Sequence, residues 1–554
     1  MRATTPNHSP GRSNEVNPMQ DEQCRHRFAN RTWGRRMMWP WRRRRRQSFR
    51  RAMLGWLVLG LSACLLSCQP PSEGESDLAA AVATDAGSDA AQELHEWVVI
   101  YMQGNRVGHV HTVERPVAGS DAGDREVHAE MVMKMKRFDQ MVETKVDIKS
   151  REDADGKLQS FETTMRAGPL ALTSTGVVEG DELQMELNAQ GQTVKETLAW
   201  TGEEGGFFER ERSLHRKPMK PGEERTLKML APLSTTLSEV HLKAVGLEET
   251  ELLTGKRKLL RIDAVTTAEQ AGQVTKVQET LYCDRDGFLV KSVLPTLQQV
   301  TYRTTREVAL GDFDPAEFDF GQASIVKVTA PADLLERARV RYRVSFESGD
   351  PNEVFRSSGH QVVTAIDERT ARIRVEPAIL VDDDEDRPDE DDRAANALIQ
   401  SDDARIVAMA AKIAPQETDA TKLAVAIEKY VYENIDEKNF SQVFSTAADV
   451  AESLEGDCTE HAVLLAALAR ARELPARVAI GLIYAPQLGG FGYHMWSEVW
   501  TGEHWLPLDG TLGRGGITAG HIKITHANLK GAGPLAAMMP VVNVMGNLRL
   551  EVVE

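Results

Sequence analysis

The chain has 554 residues and carries 66 lysine and arginine residues against 83 aspartate and glutamate residues, a formal net charge of −17. The charge is unevenly divided, because residues 1–51 hold fourteen arginines and three acidic residues, about +11, which leaves about −28 for the rest. An acidic body excludes a nucleic-acid-binding surface built on broad positive charge. A hydrophobic content of 41% excludes wholesale disorder.

Residues 1–68 are predicted to be a basic leader and a lipoprotein signal peptide. An arginine cluster precedes an uncharged apolar stretch at 52–66, which is typical of an export signal and too short to span a bilayer as a mature helix. The stretch ends in Leu65, Leu66, Ser67 and Cys68, which resembles the lipobox of bacterial lipoproteins. The resemblance implies that Cys68 is lipidated and becomes the first mature residue. A plain signal peptide and an uncleaved anchor are the alternatives.

The next segments are predicted to be a flexible tether at 69–93 and an antiparallel β domain at 94–324. The tether is rich in Ala, Asp, Ser and Pro. In the β domain, apolar residues alternate with polar ones around 127–135, and Asp-Gly pairs at 155–156 and 286–287 indicate hairpins. Cys283 lies on one of these strands and is expected to be a small core residue.

A smaller β segment with an acidic linker is predicted at 325–395, and the period of apolar residues becomes helical after Asn396. Residues 461–472 read as a strong helix, and the segment 456–460 leads into it after a Gly turn, so Cys458 is placed at a helix N-terminus. There the free amides and the helix dipole favour a thiolate and can receive an oxyanion. A structural cysteine is the alternative interpretation of Cys458.

A hairpin predicted around 493–509 brings a histidine and an aspartate together. If Trp500 pairs with Trp505, His494 and Asp509 lie on one face, where Asp509 can reach His494 and orient its ring. A slip of one residue would place them on opposite faces. Cys458, His494 and Asp509 then supply a thiol that attacks, an imidazole that carries the proton and a carboxylate that fixes the tautomer.

Four motifs together resemble the core of the transglutaminase-like superfamily. They are GDCTEH at 456–461, RARELPAR at 470–477, HMWSEV at 494–499 and WLPLDGT at 505–511. The resemblance covers roughly residues 396–530 and implies a papain-like fold, with Cys458 as nucleophile, His494 as base and Asp509 as orienting acid. Glu473 stands where members commonly have Gly. Beyond the Cys458 amide, Gln442 is a candidate second oxyanion donor.

The predicted fold is therefore α+β, with a papain/transglutaminase-like C-terminal domain at 396–554 preceded by antiparallel β-rich domains. The predicted protein is an exported, membrane-anchored lipoprotein facing the periplasm or the cell exterior. It would cleave or transfer acyl groups at amide or peptide carbonyls of a protein or peptide through a thioester. The alternative is a catalytically idle binding or assembly lipoprotein. No cofactor, metal or nucleic-acid partner is predicted, and the oligomeric state is left open.

The other histidines and the tryptophans of the hairpin are expected to have structural rather than functional roles. His461 stands one helical turn after Cys458 and could bind zinc with it, but no second Cys/His pair is near in the sequence. His109 and His111 share a strand face, as metal ligands would, yet no third ligand is evident, so they are expected to be surface residues. Trp496, Trp500 and Trp505 are expected to pack in the core rather than to form a substrate platform.

Overall fold

The structure is a computed structural model that describes residues 93–553 with short gaps. The residues outside this description are 1–92, 118, 121–122, 168–169, 190–191, 234–235, 271–272, 348, 379–386, 436–444, 531–540, 542–543, 545 and 554. The predicted leader, nearly all of the predicted tether and the predicted lipidation site Cys68 therefore lie outside the described residues. All described residues belong to one compact unit.

Antiparallel strands fill the part of the chain predicted to be a β domain, where they form one 14-stranded sheet. Its strands are β1 (Leu94–Met102), β2 (Asn105–Pro116), β3 (Arg125–Arg137), β4 (Gln140–Glu152), β5 (Leu158–Ala167), β6 (Leu170–Glu179), β7 (Glu182–Ala189), β8 (Gln192–Ala199), β9 (Glu224–Leu230), β10 (Leu237–Leu252), β11 (Gly255–Gln270), β12 (Gln273–Cys283), β13 (Leu289–Leu294) and β14 (Gln299–Thr304). The sheet consists of two sequential runs, β1 to β8 and β9 to β14, joined where β1 pairs with β14.

The alternation predicted from the sequence is present in this sheet. Met131, Met133 and Met135 on β3 are each no more than 2% exposed, and their neighbours Val132 and Lys134 are partly exposed. Cys283 at the end of β12 is 2% exposed, as expected for a core cysteine. The Asp-Gly pairs at 155–156 and 286–287 lie in the turns that join β4 to β5 and β12 to β13.

Two smaller sheets follow along the chain. The strands are β15 (Val326–Lys327), β16 (Val340–Phe346), β17 (Gln361–Asp367), β18 (Thr370–Val375), β19 (Ala476–Ala485), β20 (Gly490–Trp500), β21 (Trp505–Leu508), β22 (His521–Ala527) and β23 (Leu548–Val552). One sheet has the order β17-β18-β16-β23, and the other has the order β15-β20-β19-β22 with β21 also paired to β20. The first therefore combines strands from the predicted small β segment with the last strand, and β15 joins the sheet that carries the predicted site histidine.

The four described helices after residue 400 pack together beside the sheet of β19 and β20, and the four before them contact the other two sheets. They are α1 (Glu209–Arg216), α2 (Arg306–Leu310), α3 (Phe320–Ala323), α4 (Pro351–Val354), α5 (Ala404–Ala410), α6 (Ala420–Asn434), α7 (Ala447–Ser453) and α8 (Cys458–Ala471). The predicted α+β fold, with antiparallel sheets ahead of a mixed C-terminal region, is confirmed. Among the described residues, none of the helices combines the length and the apolar character needed to cross a membrane.

Helix α8 is the central helix of the C-terminal region. It contacts β19 and β20 on one side and α5, α6 and α7 on others, so nearly all of its side chains are buried. A helix enclosed in this way is apolar all round, which explains its Ala- and Leu-rich sequence. The helix ends at Ala471, before Pro475, and Glu473 takes a left-handed φ of 63°. That conformation favours glycine at helix ends, so Glu473 stands where a glycine would be less strained.

Candidate active site

The first residue of α8 is Cys458, as the sequence predicts. Asp457 is the N-cap, and its side chain accepts a hydrogen bond from the Thr459 amide at 2.8 Å. The Glu460 side chain in turn accepts from the Asp457 amide at 2.9 Å, which completes a capping box. Gly456 has φ 153°, and a Cβ there would lie 2.2 Å from the Glu460 Cβ. The glycine is therefore required for Glu460 to fold back over the turn that presents Cys458.

The predicted hairpin has the predicted register. Trp500 pairs with Trp505, and Asp509 follows the last residue of β21 directly. The His494 Nε2 lies 2.8 Å from the Asp509 Oδ2, and a side-chain hydrogen bond joins His494 to Cys458. Cys458 is half-buried, His494 is 9% exposed and Asp509 is fully buried. The three residues predicted from the sequence thus form one continuous hydrogen-bonded row.

The charge state of His494 depends on its two partners. Burial alone would lower the pKa of the imidazole, but the Asp509 carboxylate and the hydrogen bonds to Asp509 and Cys458 outweigh it and raise the pKa to about 10. The imidazolium form is therefore favoured at neutral pH. A ring that carries its proton next to a thiol holds that proton ready for a leaving group.

Four hydrogen bonds saturate the Asp509 carboxylate. Its Oδ1 accepts from the Thr511 amide at 2.8 Å and from the Thr511 hydroxyl at 2.6 Å. Its Oδ2 accepts from His494 and, at 3.1 Å, from His521 Nε2. Burial would raise the pKa of Asp509, but His494 and His521 hold it well below its usual range. The carboxylate is therefore a fixed negative charge that orients two rings.

His521, the first residue of β22, is a member of the site that the sequence analysis missed. It is fully buried, and its Nδ1 lies 3.1 Å from the Thr518 amide. An amide can only donate, so Nδ1 accepts and the proton sits on Nε2, facing Asp509. Burial lowers the pKa of His521, which keeps this ring neutral. The two histidines beside Asp509 therefore differ in charge.

The ligating atoms of His494, Asp509 and His521 lie within 4.8 Å of one another, a geometry that could hold a metal ion. The hydrogen bonds give a different account of the cluster. Both Nε2 atoms donate to the same carboxylate oxygen, at 2.8 Å and 3.1 Å. With the Thr518 amide directed at Nδ1 of His521, the proton on Nε2 occupies the position that a metal would need.

Glu428 on α6 holds the loop that follows Asp509. Its two oxygens accept from the amides of Asp509 at 3.1 Å, Gly515 at 2.6 Å and Gly516 at 3.1 Å. Burial, together with the nearby Asp509 charge, raises the pKa of Glu428 to about 7 even though the three amides oppose this. A buried carboxyl thus fixes the backbone of Asp509 and of the loop that follows it.

The remaining candidate residues that the structure describes make capping or packing contacts. The His461 Nδ1 donates to the Asp457 carbonyl at 2.6 Å inside the helix cap. On β2, His111 stacks on Trp97 with ring centroids 3.8 Å apart. Trp496 is fully buried and packs against His494 and His521, in agreement with the core role expected for it. Gln442 lies outside the described residues.

Some of the missed residues had a local signal in the sequence. Thr511 stands two positions after Asp509, the spacing of an Asx-type turn. Glu428 interrupts the apolar face of α6 formed by Ala424, Ile427 and Val431, and such an interruption marks a buried polar contact. His521 had no such signal, because only the pairing of β22 with β19 brings it beneath Asp509.

Comparison with known families finds a match within the C-terminal region. The family model described as the transglutaminase-like superfamily matches residues 407–510, a segment that includes Cys458, His494 and Asp509. The C-terminal region is transglutaminase-like. The match ends one residue after Asp509, so the transglutaminase-like segment as matched does not include His521.

Solved structures that are similar to part of this chain have low sequence identity to it. A "putative cysteine protease" from Cytophaga hutchinsonii is 17% identical, with 34% of this chain and 79% of that chain covered and a TM-score of 0.24. A β-barrel-like protein with a domain of unknown function from Brucella abortus is 10% identical, with 39% and 96% covered and a TM-score of 0.30. No curated protein matches the sequence.

Proposed function

We propose that this protein is a cysteine enzyme that cleaves or transfers acyl groups at amide or peptide carbonyls through a thioester. The observation that carries the proposal is the continuous row from Cys458 through His494 to Asp509, with Cys458 at the start of a capped helix. Thiol, imidazole and carboxylate in this order are what nucleophilic acyl transfer requires.

In the proposed reaction, His494 already holds the proton of the Cys458 thiol as an imidazolium, and the thiolate sulfur attacks the substrate carbonyl carbon. The negative charge that develops on the carbonyl oxygen is received by the amide of Cys458 at the helix N-terminus. The carbon–nitrogen bond then breaks, and His494 gives its proton to the leaving amine, so that a thioester remains on Cys458. Water or a second amine, deprotonated by His494, attacks the thioester and releases the thiol together with an acid or a new amide.

We propose that the substrate is a protein or peptide, since members of the transglutaminase-like superfamily include cross-linking enzymes and proteases. Comparison of peptide termini and isopeptide links in the proteomes of wild-type cells and Cys458→Ala cells would identify it. New termini that depend on Cys458 indicate hydrolysis, and isopeptide links that depend on it indicate transfer.

We also propose that Cys68 carries a lipid anchor that holds the protein at a membrane facing the periplasm or the cell exterior. The support is in the sequence: a basic cluster, an uncharged apolar stretch and the residues 65–68 in this order. The acidic remainder of the chain is repelled by anionic lipid, so a covalent anchor rather than electrostatic attraction would keep it at the surface.

The enzyme proposal is tested by the rate of Cys458 alkylation. A free thiol is less than about 1% thiolate at pH 6. We therefore expect Cys458 of the full-length protein in mild detergent to react with iodoacetamide at pH 6 at least about tenfold faster than free cysteine. The rate is read on the peptide that contains Cys458.

Two variants and an internal control complete the test. His494→Ala should remove the rate enhancement, because the imidazole no longer holds the thiol proton. Cys283 is fully buried, and burial raises the pKa of its thiol, so it should stay unlabelled in the folded protein. If Cys458 reacts like a free thiol and His494→Ala changes nothing, the protein is a binding or assembly module instead.

A further inference from the structure

A cation from the 14-stranded sheet reaches the N-terminus of the candidate catalytic helix. Arg137, the last residue of β3, donates from Nη2 to the Asp457 Oδ2 at 3.0 Å across 320 residues of sequence. Both side chains are buried, with 2% relative exposure each. A buried charged pair at this depth is a fixed part of the structure, because removal of one partner leaves an uncompensated buried charge.

Asp457 is shared between this cation and the helix that presents Cys458. Its Oδ1 caps α8 through the Thr459 amide, and its Oδ2 takes the guanidinium of Arg137. Arg137 also interacts electrostatically with Cys458 and Glu460. Without the guanidinium, the buried carboxylate of Asp457 would stand beside the sulfur uncompensated, and its negative charge would disfavour a thiolate.

Among the described residues, charged and titratable groups from β3, β20 and α8 face this end of the helix. They are Arg137 from β3, His494 from β20 and, from the first turn of α8 and its cap, Asp457, Glu460 and His461. Burial and the neighbouring Asp457 raise the pKa of Glu460 well above its usual range. Asp457 is therefore the main negative charge beside Cys458 that Arg137 can compensate.

The hairpin that carries Arg137 is held in a strained turn. Phe138 and Asp139 join β3 to β4 with φ values of 48° and 67°, a conformation that costs non-glycine residues free energy. Their amides donate to the two carboxylate oxygens of Asp319, each at 2.8 Å. Gly321 leaves room for the Phe138 ring, since a Cβ there would lie 2.7 Å from it. Strain maintained by such contacts commonly marks a functional position.

Asp319, which holds this hairpin, is also connected along the chain to the strand that carries His494. Asp319 is the N-cap of α3, and the chain continues from this short helix into β15. β15 pairs with the start of β20, where Val326 lies opposite Phe491. The hairpin of β3 and β4 thus contacts the helix of the candidate nucleophile directly and reaches the strand of His494 through Asp319 and β15.

We propose that Arg137 is a positioning residue for Cys458: it fixes and neutralises the Asp457 cap so that the thiolate can form at the start of α8. The 14-stranded sheet is then part of the reactive unit rather than an independent module. This inference rests on the proposed function, because it concerns the reactivity of the same cysteine.

The test compares alkylation rates of Cys458 in full-length protein across pH 5–9. We expect Arg137→Gln to lower the rate at pH 6 at least about tenfold, because the Asp457 carboxylate beside the sulfur is no longer compensated. Arg137→Lys, which keeps the charge, should retain most of the rate. The matched control is Arg151→Gln on the same hairpin, which removes the ion pair of the exposed Arg151 with the buried Asp124 and should leave the alkylation rate of Cys458 unchanged.

Asp457→Asn separates charge compensation from simple support of the fold. Asparagine still caps a helix but carries no charge, so this change should restore at least part of the lost rate in the Arg137→Gln background. If Arg137→Gln does not fold, the Asp457→Asn variant alone tests the inference. Its Cys458 should be alkylated at least as fast as that of the wild type. A rate at least about tenfold below wild type in folded Asp457→Asn, or wild-type behaviour of Arg137→Gln, overturns the inference. If Cys458 of the wild type is alkylated no faster than free cysteine, the proposed function is overturned instead.

Discussion

Asp509 accepts hydrogen bonds on a single oxygen from His494 at 2.8 Å and from His521 at 3.1 Å. The two rings use the same carboxylate differently. His494 continues to Cys458, whereas His521 is held from behind by the Thr518 amide. Because the second oxygen is occupied by Thr511, the carboxylate cannot rotate without breaking several hydrogen bonds at once. The orientation of His494 therefore depends on His521.

Replacement of His521 should weaken both the fold and the reactivity of Cys458. In His521→Leu the Thr518 amide loses its acceptor and Asp509 loses a donor, so we expect the free energy of unfolding to fall by about 1–3 kcal/mol. The alkylation rate of Cys458 at pH 6 should fall severalfold, because the ring of His494 is held less firmly. His521→Gln, whose amide can still donate to Asp509, should recover most of that rate. Equal rates for the leucine and glutamine variants would rule out the positioning role.

The protonation of His494 gives the protein a stability that depends on pH. Its pKa is about 10 in the folded protein and about 6.5 in the unfolded chain, so between these values the folded state binds the extra proton. This contribution is fully present below pH 6.5 and is lost as the pH rises through 10. Denaturant unfolding of the wild type from pH 6 to pH 10 should show the decline.

Asp509→Asn is the variant that isolates this effect. Without the carboxylate, burial is no longer outweighed, the pKa of His494 should fall, and the decline above pH 6.5 should flatten. The rate of Cys458 alkylation should fall with it, since the imidazolium is no longer stabilised. A decline with the wild-type slope in Asp509→Asn would mean that another group is responsible.

Glu428 should act on the position of Asp509 from outside the hydrogen-bonded row. Glu428→Gln replaces one oxygen with an amide group that cannot accept from a backbone amide. We expect a loss of about 1–3 kcal/mol in the free energy of unfolding. The pKa of about 7 also predicts that wild-type stability declines between pH 4.5 and 7, because the folded state keeps a proton that the unfolded chain releases.

The contribution of Glu428 to that decline is measured by comparing the two proteins over the same range. The glutamine variant should show a smaller decline between pH 4.5 and 7 in denaturant unfolding. The nearby exposed pair of Lys429 and Glu433 on α6 provides the control, and Glu433→Gln should leave both the stability and its pH dependence unchanged.

The proposed lipid anchor gives a prediction for the location of the protein. Cys68→Ser should release the protein from the membrane fraction, because serine cannot form the thioether that carries the lipid. Cys64→Ser, four residues earlier in the apolar stretch, is the matched control and should remain bound. Both are read by fractionation of cells and immunoblotting. Membrane retention of the Cys68→Ser protein would instead support an uncleaved anchor.

The sequence could predict those parts of the site that depend on local geometry. Cys458 was placed by the turn before it and the helix after it, and Asp509 was placed beside His494 by a hairpin of a few residues around Trp500 and Trp505. In such segments turn chemistry and the period of two fix the register.

The remaining parts depend on contacts between distant segments. Arg137 lies at the end of an ordinary alternating strand, and nothing near it in the sequence indicates Asp457 as its partner. His521 comes to Asp509 only through the pairing of β22 with β19. Single-sequence patterns carry no signal for pairings of this range, because each partner's local sequence is compatible with many others.

The joint between β1 and β14 has a consequence for how the chain reaches its native state. The two runs of the large sheet can each grow by neighbouring hairpins, which form quickly. The joint, from Trp97 opposite Thr304 to Met102 opposite Gln299, brings together residues from the two ends of the sheet's sequence. Loop closure of this length is slow. We therefore expect the edges of β1 and β14 to remain unpaired for a time after the hairpins have formed. That interval is when the chain is most exposed to aggregation.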